Sequence, residues 1–232
     1  MRLVRIISMT CAIAGFYCSA CNRADDREAA LQESVRPEDV VEFWTLYNQN
    51  CSACHGQNGE NGPALDLANP VYQSLVDDAS LKKWITGGMP GTEMPAFGVS
   101  AGGFLTEKQV DALVAGIRKN WATSSLGDLK PPPYVANIPG DEKSGELVYK
   151  AACISCHQKP GAGISSDSYL ALVSDQSLRT ITIAGRPDIG HPDWQQDQPE
   201  HPLTNEDVTN VVAYLASLRS ETPGQPYPDA RR

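Results

Sequence analysis

The sequence predicts an all-α fold made of two tandem helical domains. Three observations predict it. The pentapeptide Cys51-Ser52-Ala53-Cys54-His55 recurs as Cys153-Ile154-Ser155-Cys156-His157. The stretch Leu81 to Phe97 pairs without a gap with Leu178 to Trp194, so that Leu81/Leu178, Gly88/Gly185, Pro90/Pro187, Pro95/Pro192 and Phe97/Trp194 coincide. Finally, Thr106 to Trp121 carries Val110, Leu113, Val114 and Ile117 at helical spacing, and Leu203 to Leu218 repeats that stripe. A chain of 232 residues suits one large domain or two small ones, and the repeat decides for two.

Residues 1–20 read as a secretory leader, with Arg2 and Arg5 ahead of a largely apolar run from Ile6 to Tyr17 and small Ser19-Ala20 before Cys21. The run is too short to span a bilayer as a helix. Small residues just before a cysteine resemble a bacterial lipoprotein signal, which implies a lipid on Cys21, although Cys18 stands where that signal usually has Leu. The alternative is ordinary cleavage after Ala20, leaving a free thiol. Cysteine arithmetic favours the lipid: Cys11 and Cys18 leave with the leader, four cysteines sit in the repeated motif, and Cys21 remains. Residues 21–37, charged and poor in aromatics, then form a tether.

The first domain is expected over 38–121. Its opening helix runs from about Glu38 to Asn50, with Val41, Trp44, Leu46 and Tyr47 as apolar positions, and Tyr47 precedes Cys51 by four residues as Tyr149 precedes Cys153. Further helices are expected near Val71–Asp77 and Ser80–Thr86. Thr106 is the expected N-cap of the closing helix, with Glu107 in its first turn. Residues 122–141, with Pro131-Pro132-Pro133 and little periodicity, read as a semi-rigid polyproline spacer. The second domain occupies 142–220, and 221–232 form a tail.

C-x-x-C-H is the attachment signature of c-type haem: the two thiols become thioethers to the haem vinyls and the adjacent imidazole is held against the iron. A zinc site would need further thiol or imidazole ligands at short spacing, and a redox dithiol a βαβ context; the sequence offers neither. Two motifs imply two covalent haem c groups, on Cys51, Cys54 and His55 and on Cys153, Cys156 and His157. In the repeat that follows each motif, Met94 stands opposite His191, and each precedes a proline. Proline fixes φ and biases its predecessor to extended backbone, so a ligand placed there is held with little freedom. Met94 and His191 are therefore the expected sixth ligands. Methionine at the second site is excluded by composition, since none follows Met94; His201 is the competitor to His191.

At these motifs each half resembles a class I cytochrome c domain, and the pair resembles a two-haem cytochrome c of the bacterial cell envelope, over roughly 38–121 and 142–219. Gly91-Thr92-Glu93-Met94-Pro95-Ala96-Phe97-Gly98 is a good match, whereas His191 departs from the family's usual methionine. The resemblance implies proximal ligands His55 and His157, a first distal ligand Met94, and closing helices packed across the helix before each motif. It also implies that the carbonyl of Pro63, at the end of the glycine-rich loop after His55, accepts the second imidazole N–H. Met89 and the pair Trp84 and Trp194 are expected to pack at the haem edge and walls. Arg186 is expected either to pair with a haem propionate or to be a solvated surface group.

A haem with both axial positions filled has no vacancy for substrate, and its act is outer-sphere electron transfer. Methionine raises the potential relative to histidine, so the His55/Met94 haem should lie above the His157/His191 haem. The expected function is thus electron transfer in a respiratory or photosynthetic chain, at the periplasm or the outer face of a bacterial membrane. The competing class is a haem enzyme, peroxidase-like or thiosulfate-oxidising, or a gas sensor, with an accessible second iron. A third reading is a fixed subunit of a membrane complex. A net charge of −9 and the lack of any Gly-rich phosphate loop point away from nucleic acid and toward redox protein partners met by electrostatic steering.

Overall fold

The computed structural model describes residues 35–122, 125–158, 163–195 and 201–220. The leader, Cys21, nearly all of the tether and the tail lie outside the described residues. The chain forms two compact units, residues 1–39 and 40–232. In the first, the described residues end in a 3₁₀ turn, Pro37–Asp39, with Arg36 paired to Asp39 at 2.8 Å. The second is helical.

The opening helix is shorter than its sequence suggests. α1 spans Phe43–Asn50 because the Glu42 carboxylate accepts hydrogen bonds from the Trp44 and Thr45 amides and so caps it there. A one-turn α2, Ser52–His55, carries the first motif. α3, Pro70–Leu75, starts at an Asn69 cap, and α4, Asp78–Gly87, at an Asp77 cap. The closing helix α5, Glu107–Trp121, has the expected Thr106 cap, completed by a reciprocal bond that the Thr106 amide donates to the Gln109 side-chain oxygen.

In the second half α6, Glu142–Val148, runs directly into a π-helical turn, Tyr149–Cys153, that delivers the second motif. π turns cluster where a helix must re-aim functional residues. α7, Asp167–Leu170, and α8, Asp175–Ala184, follow, and α9, Asn205–Ser217, closes the half behind a Thr204–Asp207 capping box. No strand occurs among the described residues; two isolated bridges join Gly98 to Leu105 and Arg186 to His191. No helix among them is long and apolar enough to cross a membrane.

In each half the closing helix packs on the helix before the motif, and a glycine permits the approach. A Cβ on Gly116 of α5 would lie 2.0 Å from the Phe43 ring of α1, and one on Gly145 of α6 would lie 2.0 Å from the Asn210 carbonyl oxygen of α9. Tyr149, Leu170, Leu178, Val211 and Leu215 form a small core in the second half. The larger core is built on Leu46, Tyr47, Leu81, Val110, Leu113 and Ile117, and it continues into Ile183, Ala184, Trp194 and Val208. The halves therefore share apolar interior.

The proline-rich segment is fastened to both halves. Tyr134 is buried, its hydroxyl accepts from the Trp84 indole at 2.9 Å, and its carbonyl accepts from Gln176 and Arg179. Arg179, only 2% exposed, also reaches the Pro133 carbonyl, Thr209 and Asn205. A free polyproline stretch would keep its carbonyls in water; here a buried guanidinium replaces that water. The Trp84 indole N–H is thus turned toward this segment.

Candidate functional site

The first motif is held by the loop that follows it. Gly56 takes a left-handed φ of +77°, and a Cβ there would sit 1.7 Å from the Glu60 carbonyl oxygen. Gly62 lies against the backbone of Cys54, His55 and Gly56, so closely that its own Cβ would be 2.3 Å from the Cys54 carbonyl. The Ala64 amide closes the loop onto the Cys54 carbonyl at 2.9 Å. At the far end the Leu65 carbonyl lies 2.7 Å from His55 Nδ1. The acceptor is thus Leu65, correcting the expectation of Pro63: the loop turns far enough at Gly62 to present a carbonyl two residues later. A carbonyl at Nδ1 fixes the tautomer, leaving Nε2 unprotonated and free to ligate. Burial pushes the His55 pKa down, which favours that neutral form.

The two tyrosines of the repeat acquire a shared task. The Tyr47 hydroxyl donates to the Gly56 carbonyl at 2.7 Å, and the Tyr149 hydroxyl to the His157 carbonyl at 2.9 Å. Each phenol, rooted in the preceding helix, clamps the end of its C-x-x-C-H turn. The matched spacing to each motif was the signal; a hydroxyl's target is invisible in sequence.

Cys54 and Cys156 are exposed while Cys51 and Cys153 are half-buried. Burial pushes the Cys51 thiol up to about 12 and that of Cys153 up to about 11. Neither is the low-pKa thiolate that a reactive dithiol requires. Among the described residues no group of three or more His, Cys, Asp and Glu side chains is placed to hold a metal ion.

The distal loops are built alike. Met89 and Met94 are joined amide to carbonyl at 3.1 Å, and Arg186 and His191 likewise at 3.0 Å. Gly88, at φ +71°, packs against Met94, Pro95 and Ala96; Gly185, at φ +69°, packs against Pro192 and Asp193. The loop then returns to the preceding helix, Phe97 N–H to the Ile85 carbonyl and Trp194 N–H to the Ile183 carbonyl, each at 3.0 Å. Met94 and His191 therefore occupy equivalent places in equivalent loops.

His191 faces His157: their ring centroids are 6.2 Å apart with planes inclined at 44°. That spacing would let His157 and His191 each offer a ring nitrogen to one haem iron. His191 Nδ1 is buried and has no hydrogen-bond partner among the described residues, and burial pushes its pKa down. His201 is exposed.

In the first half two methionines share the distal loop, and their surroundings differ. Met89 accepts a contact from the Ser177 hydroxyl of α8 at 3.2 Å, which holds its sulfur at the second half. Met94 is half-buried against the main core, with its amide on the Thr92 hydroxyl. Trp194 is 3% exposed and lies in that core. Arg186 is 8% exposed, and its fork is engaged by Asp188 and the Gly62 carbonyl, so it is no solvated surface group.

Residues 38–115 and 140–215 each match the family described as Cytochrome C oxidase, cbb3-type, subunit III. A "Cbb3-type cytochrome c oxidase subunit CcoP" from Azospirillum sp. (strain B510) is 30% identical over 150 residues, covering 58% of this chain and 46% of that protein. The chain thus spans about half the length of that curated relative. Among solved structures, dihydro-heme d1 dehydrogenase NirN in complex with DHE is 30% identical over 40% of this chain and 18% of its own, with a TM-score of 0.30. The reducing HAO-like protein complex of Kuenenia stuttgartiensis is 18% identical over 81% of this chain and 98% of its own, with a TM-score of 0.46.

Proposed function

The chain belongs to the cbb3-type cytochrome c oxidase subunit III family of cytochrome c domains, and on that premise we propose that it is a two-haem electron carrier, with His55 and Met94 ligating one haem and His157 and His191 the other. The family supports haem c and electron transfer in general. The observation that carries it is the matched pair of distal loops, with Met94 and His191 in the same place and His191 set 6.2 Å from His157.

Haem c held at Cys51, Cys54 and His55 and at Cys153, Cys156 and His157 would take up and release one electron at each motif. The residues do the rest. Leu65 orients the His55 imidazole through Nδ1, Tyr47 and Tyr149 hold the two motif turns, and the Met89–Met94 and Arg186–His191 pairings keep the distal ligands from swinging away. Methionine at one site and histidine at the other make the sites unequal, with the Met94 site at the higher potential. The shared core and the fastened proline segment favour a fixed separation between them.

The relative's name places it in a cbb3-type oxidase, and we extend that to a redox partner in a membrane respiratory complex for this chain. Lipidation at Cys21 and residence at the outer face of a bacterial membrane complete the proposal; mass spectrometry of the mature N-terminus tests them.

The decisive measurement is a carbon monoxide difference spectrum of the dithionite-reduced protein, in parallel with His191→Ala. The wild type should bind no carbon monoxide at either haem, and the variant should bind at one. Stoichiometric binding by the wild type would make it an enzyme or sensor with an accessible iron, and an unchanged second-haem spectrum in the variant would pass the ligand role to His201.

A further inference from the structure

The two candidate sites are joined by a short chain of contacts that no part of the electron-carrier reading requires. Arg186 and His191 exchange both backbone hydrogen bonds, at 3.0 and 2.9 Å, so Arg186 is the fixed base of the second distal loop. Its guanidinium leaves that loop and crosses to the first half, where Nη2 donates to the Gly62 carbonyl at 2.8 Å. Gly62 is the residue pressed against the backbone of Cys54 and His55. From the second distal ligand to the first proximal ligand, the path runs through one side chain.

That side chain is part of a buried pair. Arg186 Nε and Nη2 donate to the two carboxylate oxygens of Asp188 at 2.8 and 2.6 Å, and the side chains are 9% and 2% exposed. Asp188 in turn accepts from the Asn61 amide at 3.2 Å. Among the described residues Asn61 is the non-glycine residue at a positive φ, +61°, a conformation that asparagine tolerates better than most. Both members of the pair thus grip the loop that carries His55 to its Leu65 acceptor. Asp66, 3% exposed with an unpartnered Oδ1, follows that acceptor directly, and its carboxyl is pushed up by burial and then by the charge of Asp188. Arg186 is a cation facing these two carboxylates.

We propose that Arg186 and Asp188 are positioning residues that couple the two haem sites, the second distal loop setting the charge environment and the proximal-loop geometry of the first haem. The proposal rests on the ligand reading above. Oxidised haem iron carries one more positive charge than reduced iron, so a nearby cation favours reduction and a nearby anion favours oxidation; a buried location leaves both effects poorly screened. Spatial continuity alone does not establish coupling. The sign of the effect can.

The test is spectroelectrochemical titration of the full-length, haem-loaded protein, following the methionine-ligated haem by its sulfur-to-iron charge-transfer band. Arg186→Gln should lower the midpoint potential of that haem although the substitution lies in the other half, and Asp188→Asn should raise it. Arg186→Gln/Asp188→Asn, neutral at both positions, should return it close to wild type. Arg186→Lys, which keeps the charge but loses the two-point fork, should restore most of the potential while exposing the Asn61–Gly62 amides to faster hydrogen exchange. A purely structural role would loosen the loop in every variant and move the potential one way only. Shifts of the same sign in Arg186→Gln and Asp188→Asn, or a shift confined to the second haem, would overturn the proposal. A wild type without the methionine band would instead overturn the ligand assignment.

Discussion

Replacing Gly145 with alanine isolates the helix contact on which the second half depends. In an ordinary helix the change is favourable, by about 1 kcal/mol of propensity. Here the new Cβ would meet the Asn210 carbonyl oxygen at 2.0 Å and its carbon at 2.5 Å, both of them backbone of α9. No rotamer change relieves that contact; α6 and α9 must part. Overpacking costs about 1–3 kcal/mol, and a rigid obstacle puts this case at or beyond the top of that range. The separation would also strain the bond from the Asp141 amide to Asn210 Oδ1, which ties the start of α6 to α9. A net loss of about 2 kcal/mol should lower Tm by roughly 4–8 °C for a unit of this size. Because α6 runs without a break into the Tyr149–Cys153 turn, the second motif should be disturbed as well. Thermal melts of the haem-loaded protein, followed by helical ellipticity and by the Soret band, measure both. Gly87, with nothing within 4 Å of its Cβ position, is the control, and Gly87→Ala should be neutral or slightly stabilising. A Gly145→Ala protein as stable as wild type would refute the close-approach argument.

Three other outcomes follow from single contacts. Tyr47→Phe removes the hydrogen bond to the Gly56 carbonyl and should cost about 1 kcal/mol in a urea titration, with faster exchange of the amides after His55. Arg179→Met keeps the packing volume but leaves the Pro133 carbonyl and Asn205 Oδ1 without their donor; a loss of about 2–4 kcal/mol and new proteolytic cleavage within 126–138 are expected, and resistance equal to wild type would contradict the fastened-segment description. Asp66→Asn should stabilise the protein at neutral pH. The folded-state pKa of Asp66 is raised by burial, so its penalty is absent in acid, where the folded and unfolded states are both protonated. It appears as pH rises past about 3.9 and is complete above the raised folded value. The Tm difference between variant and wild type should therefore grow from acid to neutral pH, and a difference that shrinks along that path would reverse the assignment.

The sequence by itself determined what depends on local covalent order. The C-x-x-C-H motifs, the caps at Thr106 and Thr204 and the apolar stripe of α5 are relations between residues close in the chain, and the register of Met94 against His191 follows from the same local spacing repeated in each half. The limits of that reading show first in the His55 loop, where the resemblance pointed to Pro63 and the fold presents Leu65: which carbonyl arrives depends on how tightly a glycine turn packs on the motif. They show again in α1, which starts at Phe43 because a Glu42 side chain, not a periodicity, ends the preceding segment. The proline segment looked like a spacer because its own residues have no period, yet its structure comes from Arg179, Gln176 and Trp84, all distant in sequence. Arg186 could be read as a surface group because Asp188 is its neighbour in the chain whereas Gly62 is not. Periodicity and motif spacing encode which backbone can form; long-range hydrogen bonds and shared core decide how the halves meet, since a buried donor takes whichever acceptor the completed fold brings to it.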